Sequence, residues 1–151
     1  MIFQGLSVKR KKQLNRLLII RQMTCDKAKD ALVAEQSRLV QEEQRLEQLE
    51  EYRQGYVWST NKQASGLALN SAQMMVERVD HAVRHQQHQV AVQEVQCQSV
   101  QESYQQEKRQ VKTAEHLLGR HQILLNKKLQ KQEQSLLDEF SARMSYGSNS
   151  L

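Results

Sequence analysis

Nine consecutive heptads of this chain carry an apolar residue, or an aromatic or thiol in its place, at one fixed position: Leu69, Val76, Val83, Val90, Cys97, Tyr104, Val111, Leu118 and Leu125. A strict seven-residue period has few physical solutions. At 3.5 residues per turn the stripe stays on one side of a helix, and the helix must wind left-handedly against a partner to bury it. The companion position three residues on is weaker, with Ala72, Val79, Gln86, Gln93, Val100, Glu107, Ala114 and His121. Upstream, Leu18, Cys25, Leu32, Leu39 and Leu46 form a matching column, accompanied by Leu14, Ala28 and Leu49.

Between the two stripes lies YRQGYVWSTNKQASG, residues 52–66, which holds three of the seven aromatic residues and two of the five glycines. Helix-poor residues cluster at Trp58–Asn61 and Ala64–Gly66, so the chain is expected to reverse near Asn61. The predicted fold is all-α, a long two-helix antiparallel coiled-coil hairpin. As a single domain it has a helix over about 8–57, a turn over about 58–66, a second helix over about 67–144 and a flexible tail at 145–151. Composition agrees with a narrow buried stripe rather than a globular core. Apolar residues make up 38%, aromatics 5%, glutamine numbers 24 and proline is absent.

A reversal at Asn61 sets residue i opposite 122 − i. Cys25 and Cys97 then fall at similar heights, where small apolar packing is the simpler reading of both thiols and a disulfide the alternative. Leu14 falls near Lys108, and Met1 reaches only His121. The second helix continues beyond this with Leu125, Leu129, Leu136, Leu137, Phe140 and Met144, and the first has a broad apolar start at Leu14, Leu17, Leu18 and Ile20. Apolar surface gathered at one end of a rod implies a partner there.

Charge sharpens that end. Residues 9–21 and 108–131 are basic, whereas 35–51 hold six glutamates. The expected molecule is an electrically polarised rod with a cationic open end. Most such runs are solvated helix faces. The basic segments lack interleaved aromatics, so nucleic acid is not expected as a partner.

No catalytic constellation is legible: the chain has no phosphate-binding glycine loop, no H-E-x-x-H, no C-x-x-C and no nucleophile elbow. His81, His85 and His88 share one helical face with a spacing that could hold a metal ion, but solvent-facing histidines are the plainer reading. The expectation is a non-enzyme with no cofactor and no metal. The longest apolar run near the start is LLII at 17–20, far short of the ~20 residues needed to cross a membrane. With only two cysteines and no signal segment, a reducing cytoplasm is the expected compartment.

Two segments carry a local likeness to a known family. EEQRLEQLEEYRQGY at 42–56 presents Leu49, Tyr52 and Tyr56 ahead of the turn, and KQEQSLLDEFSARM at 131–144 presents DEF followed by a basic residue. With the two-stripe layout, the chain resembles the FliJ/YscO family of central-stalk proteins in flagellar and virulence-associated type III export systems. The start, MIFQGLSVKRKKQ, looks more like the injectisome branch, while the tyrosine pair and DEF lean flagellar.

The resemblance implies a stalk whose open end inserts into a hexameric export ATPase and promotes its activity. It implies a second contact, near the turn, with the cytoplasmic part of the membrane export gate, and escort of unloaded secretion chaperones. The protein would be cytoplasmic, at the inner-membrane export apparatus, reaching the membrane only through partners and monomeric when free. Carried over by position, the gate-facing residues are Leu49, Tyr52, Tyr56, Met75, Val79 and Ala82. The ring-facing residues are Leu14, Leu17, Leu18, Arg21, Leu136, Leu137, Phe140 and Arg143. Met75 and Gln86 depart from the aromatic and the histidine that the family pattern leads one to expect. The alternative to a stalk is a homo-oligomeric coiled-coil scaffold or tether, in which the overhang pairs with itself.

Overall fold

The computed structural model describes residues 2–62 and 66–148. It is a two-helix antiparallel hairpin, α1 spanning Ile2–Lys62 and α2 spanning Gly66–Ser148. Glutamine, leucine, glutamate, lysine and arginine all propagate a helix readily, and no proline interrupts either segment.

The helices run further than the sequence pattern suggests. A turn was expected over 58–66, yet α1 continues through Trp58 and Ser59 to Lys62, and α2 begins at Gly66. The Ser59 hydroxyl donates to the Gly55 carbonyl one turn back at 3.0 Å. A serine satisfied this way costs a helix only a few tenths of a kcal/mol. Thr24 and Thr113 are held alike, donating to the carbonyls of Ile20 and Arg109. Residues 63–65, within the expected turn, lie outside the described residues. The expected tail at 145–151 is helical through Ser148, and 149–151 lie outside the described residues.

The longer α1 resets the register. Gln93 Nε2 donates to the Glu35 carbonyl at 3.3 Å, and Gln86 Nε2 to the Glu42 carbonyl at 3.0 Å. His121 Nε2 lies 3.2 Å from the Ser7 carbonyl. In all three pairs residue i faces 128 − i rather than 122 − i, a shift of six residues from the expected register. Cys25 and Cys97 are therefore not level; they sit six residues out of register, about 9 Å along the helix axis. Both thiols are free, Cys97 buried and Cys25 half-buried.

The chain divides into two units, one of Met1–Thr24 with Glu107–Leu151 and the other of Cys25–Gln106. In each, the core is a single file of side chains. Val83, Gln86 and Cys97 are buried in the second unit and Ala114 in the first, all on α2 at heptad positions.

Two layers of the second unit are polar and repeat the same motif one heptad apart. Gln86 donates to both the backbone carbonyl and the carboxylate of Glu42, which also accepts from Arg45 at 2.9 Å. Gln93 does the same to Glu35, which accepts from Arg38 at 3.1 Å. Gln86 is buried and Gln93, Glu35 and Glu42 are half-buried, each hydrogen-bonded as a polar group in a seam must be.

Candidate protein-interaction surfaces

The gate-facing set falls wholly within the second unit and divides in two. Leu49, Val79 and Ala82 are half-buried, and the register sets Leu49 opposite Val79, so these side chains hold the helices together. Tyr52 is 64% exposed and Met75 lies on the surface. Tyr56 is half-buried between them. It lines two shallow grooves: one on α1 with Gln48, Glu51, Tyr52, Gly55 and Ser59, the other between the helices with Ala68, Ser71, Ala72 and Met75.

Tyr52, Tyr56 and Met75 are accordingly the members of the set that border open surface. Gly55 forms part of the α1 groove's floor. Its backbone is helical without a positive φ, and a Cβ there would meet nothing within 4 Å. The missing side chain therefore opens the surface while the helix continues through it. Trp58, 63% exposed, and Met74 extend the apolar surface of this region. The sequence reading had assigned Trp58 to the turn. Arg53 and Asp80 pair across the helices beside the grooves.

The ring-facing set lies wholly within the first unit and also divides. Leu14, Leu17, Leu18 and Arg21 are half-buried. The register places Leu14 opposite Ala114, which is 3% exposed, and Arg21 opposite Glu107. Glu107 Oε2 is buried without a hydrogen-bond partner among the described residues. All four are thus partly covered within the hairpin, consistent with the seam positions that the heptad pattern gives Leu14 and Leu18. The exposed apolar residues of the same stretch are Ile19, Ile20 and Met23, off the heptad positions.

The α2 half of the set is open. Leu136, Leu137 and Phe140 are each more than 60% exposed, as is Met144, and Arg143 is exposed beside them. Every described side chain from Asn126 to Gly147 is exposed. The sequence explains where the seam stops. Beyond Leu125 the heptad positions become Lys128, Gln132, Ser135 and Glu139, so the apolar column ends there.

His81, His85 and His88 are exposed, and among the described residues no cluster of three or more potential ligands converges. No helix is long and apolar enough to cross a membrane among the described residues. The described residues define the class: an all-α helical-hairpin coiled coil with shallow, partly apolar grooves open on its surface.

The family follows from comparison. A family model described as the flagellar FliJ protein matches residues 10–150, and the chain belongs to that family, whose members are non-catalytic components of the flagellar export apparatus. No curated protein and no solved structure matches the chain.

Proposed function

We propose that this protein is the stalk of a type III export apparatus, a non-enzymatic link between a hexameric export ATPase and the membrane export gate. Family membership supplies the apparatus. The observation that carries the stalk reading is the exposed stripe Leu136, Leu137, Phe140 and Met144, on a helix segment whose seam positions have turned polar. Exposed leucines and a phenylalanine just beyond a basic stretch that ends at Lys131 suit insertion into a ring's pore, where surrounding subunits supply the missing apolar contacts.

The gate contact is assigned to Tyr52, Tyr56 and Met75 around the two grooves, with Leu49, Val79 and Ala82 holding the helices beneath them. Both contacts reside in one chain, so engagement of the ring and engagement of the gate are physically connected. Escort of emptied export chaperones is an accessory role in this reading. The protein acts on the cytoplasmic side of the inner membrane, reaching it through its partners.

Turnover of the cognate export ATPase, measured with and without the protein, tests the assignment. A chain truncated after Leu125 keeps its seam and is expected to lose the stimulation. Undiminished stimulation would show that the ring reads some other surface.

A further inference from the structure

The exposed segment of α2 is more ordered in its sequence than a generic sticky end. Past Leu125 the apolar residues leave the seam positions and re-form as a second stripe led by Leu129, Leu136 and Phe140. This stripe is displaced by four residues from the heptad phase of Leu118 and Leu125, a stutter that rotates it off the line of the seam. Leu129 is 43% exposed, and the residues after it more so.

The spacing of the stripe reads the same in both directions. From Leu125 to Leu129, Leu136 and Phe140 the steps are four, seven and four. Charge is arranged around the same midpoint. Lys127, Lys128 and Lys131 precede it, and Glu133, Asp138 and Glu139 follow it. A segment with palindromic apolar spacing and opposite charges in its two halves is complementary to itself when reversed.

We propose that a second copy of this chain covers the stripe, packed antiparallel about a two-fold axis between residues 132 and 133. Residue i of one copy then lies beside 265 − i of the other. Leu129 meets Leu136 of the second copy, and Phe140 meets its Leu125. Lys128 and Glu139 are eleven residues apart, three helical turns, and so share one flank of the stripe. In an antiparallel pair like flanks meet, which brings Lys128 of each copy near Glu139 of the other. A parallel pair would set lysine beside lysine. The contact is isologous and closes at two copies.

Fewer than three heptads take part, so the pairing is weak, with a dissociation constant on the order of 10 μM. The free protein is a monomer when dilute and a dimer when concentrated. This inference stands independently of the stalk reading. If both hold, self-pairing covers the surface offered to the ring, and the ATPase competes with the second copy for it.

Sedimentation equilibrium of the full chain alone, over a concentration series spanning that constant, is the test. The wild-type chain is expected to dimerise, and Leu129→Glu to abolish dimerisation while the helical spectrum is retained. Lys128→Glu and Glu139→Lys should each weaken the dimer roughly threefold to tenfold, since the symmetry removes two contacts at once. The two combined in one chain should restore it. A chain that stays monomeric throughout overturns the proposal, as does a charge swap no tighter than its single parents. No ATPase is present, so loss of ring stimulation by the truncated chain would leave this result unaffected.

Discussion

Replacing Gln93 by leucine tests the polar layers of the seam directly. Leucine fills a similar volume, so the principal change is the loss of two hydrogen bonds from Nε2, one to the Glu35 carbonyl at 3.3 Å and one to its carboxylate. The Glu35 side chain is only 13% exposed, against 23% for Glu42 in the equivalent layer. Its Arg38 partner, 67% exposed, keeps one oxygen paired but cannot replace a donor inside the seam. A hydrogen bond to a charged acceptor contributes about 1.5–3 kcal/mol. Since water can reach the Arg38 side of the carboxylate, about 2 kcal/mol is the expected loss for Gln93→Leu. Gln86→Leu should cost less, because Glu42 is better solvated. At this chain length 2 kcal/mol corresponds to a melting shift of roughly 4–8 °C.

The double variant Gln93→Leu with Glu35→Leu removes the orphaned carboxylate and should recover most of the stability or exceed it. The coupling is read from urea unfolding followed by circular dichroism, at a concentration where the chain is monomeric. Additive single changes, within about 0.5 kcal/mol, would refute the reasoning. So would a Gln93→Leu variant as stable as the wild type.

Further outcomes follow from the same geometry. Under oxidising conditions the monomer should form no Cys25–Cys97 bridge, and thiol titration should find Cys25 reacting before the buried Cys97. Gly55→Ala should stabilise α1 by about 0.5–1 kcal/mol, since nothing obstructs the added methyl, while partly filling the groove beside Tyr52 and weakening gate binding in a pull-down. Tyr52→Ala with Tyr56→Ala should leave helicity largely intact and reduce export in a secretion assay; a collapse of the helical signal would make the tyrosines structural. A short bifunctional thiol reagent should join cysteines placed at 42 and 86 and fail to join a pair at 42 and 80, which the shorter turn would have aligned.

The seven-residue column from Leu69 to Leu125 made the helices, their antiparallel pairing and the end of the seam legible in advance. It could not fix the register, because that depends on where α1 stops. Trp58, Ser59 and the residues after them are individually weak helix formers, but a chain without proline continues a helix at small cost once Ser59 finds the Gly55 carbonyl. The six-residue error that followed misplaced the cysteines. The candidate surfaces were half legible for a related reason. Leu14, Leu49 and Val79 stand both in the heptad stripes and in the partner-facing sets, and the half-burial of each shows how much of it the seam takes up. Tyr52, Leu136 and Phe140 lie off the α1–α2 seam and are exposed. Glu35 and Glu42 were missed as seam members, since a lone acidic residue reads as solvated until its glutamine is found on the other helix.

The paired glutamine–glutamate layers also bear on how the Cys25–Gln106 unit responds to load. Sliding one helix past the other by a heptad, about 10 Å, would carry Gln86 and Gln93 away from their own glutamates together, leaving Glu42 facing Val79 or Glu35 facing Val100. The helices therefore resist shear, and a pull on one is passed to the other without slippage. Bending meets no such resistance, because a core one side chain wide provides little leverage against flexing across its thin direction. This unit behaves mechanically as a laminated strap, firm along its length and compliant sideways, and it can transmit tension or twist while tolerating misalignment at its ends.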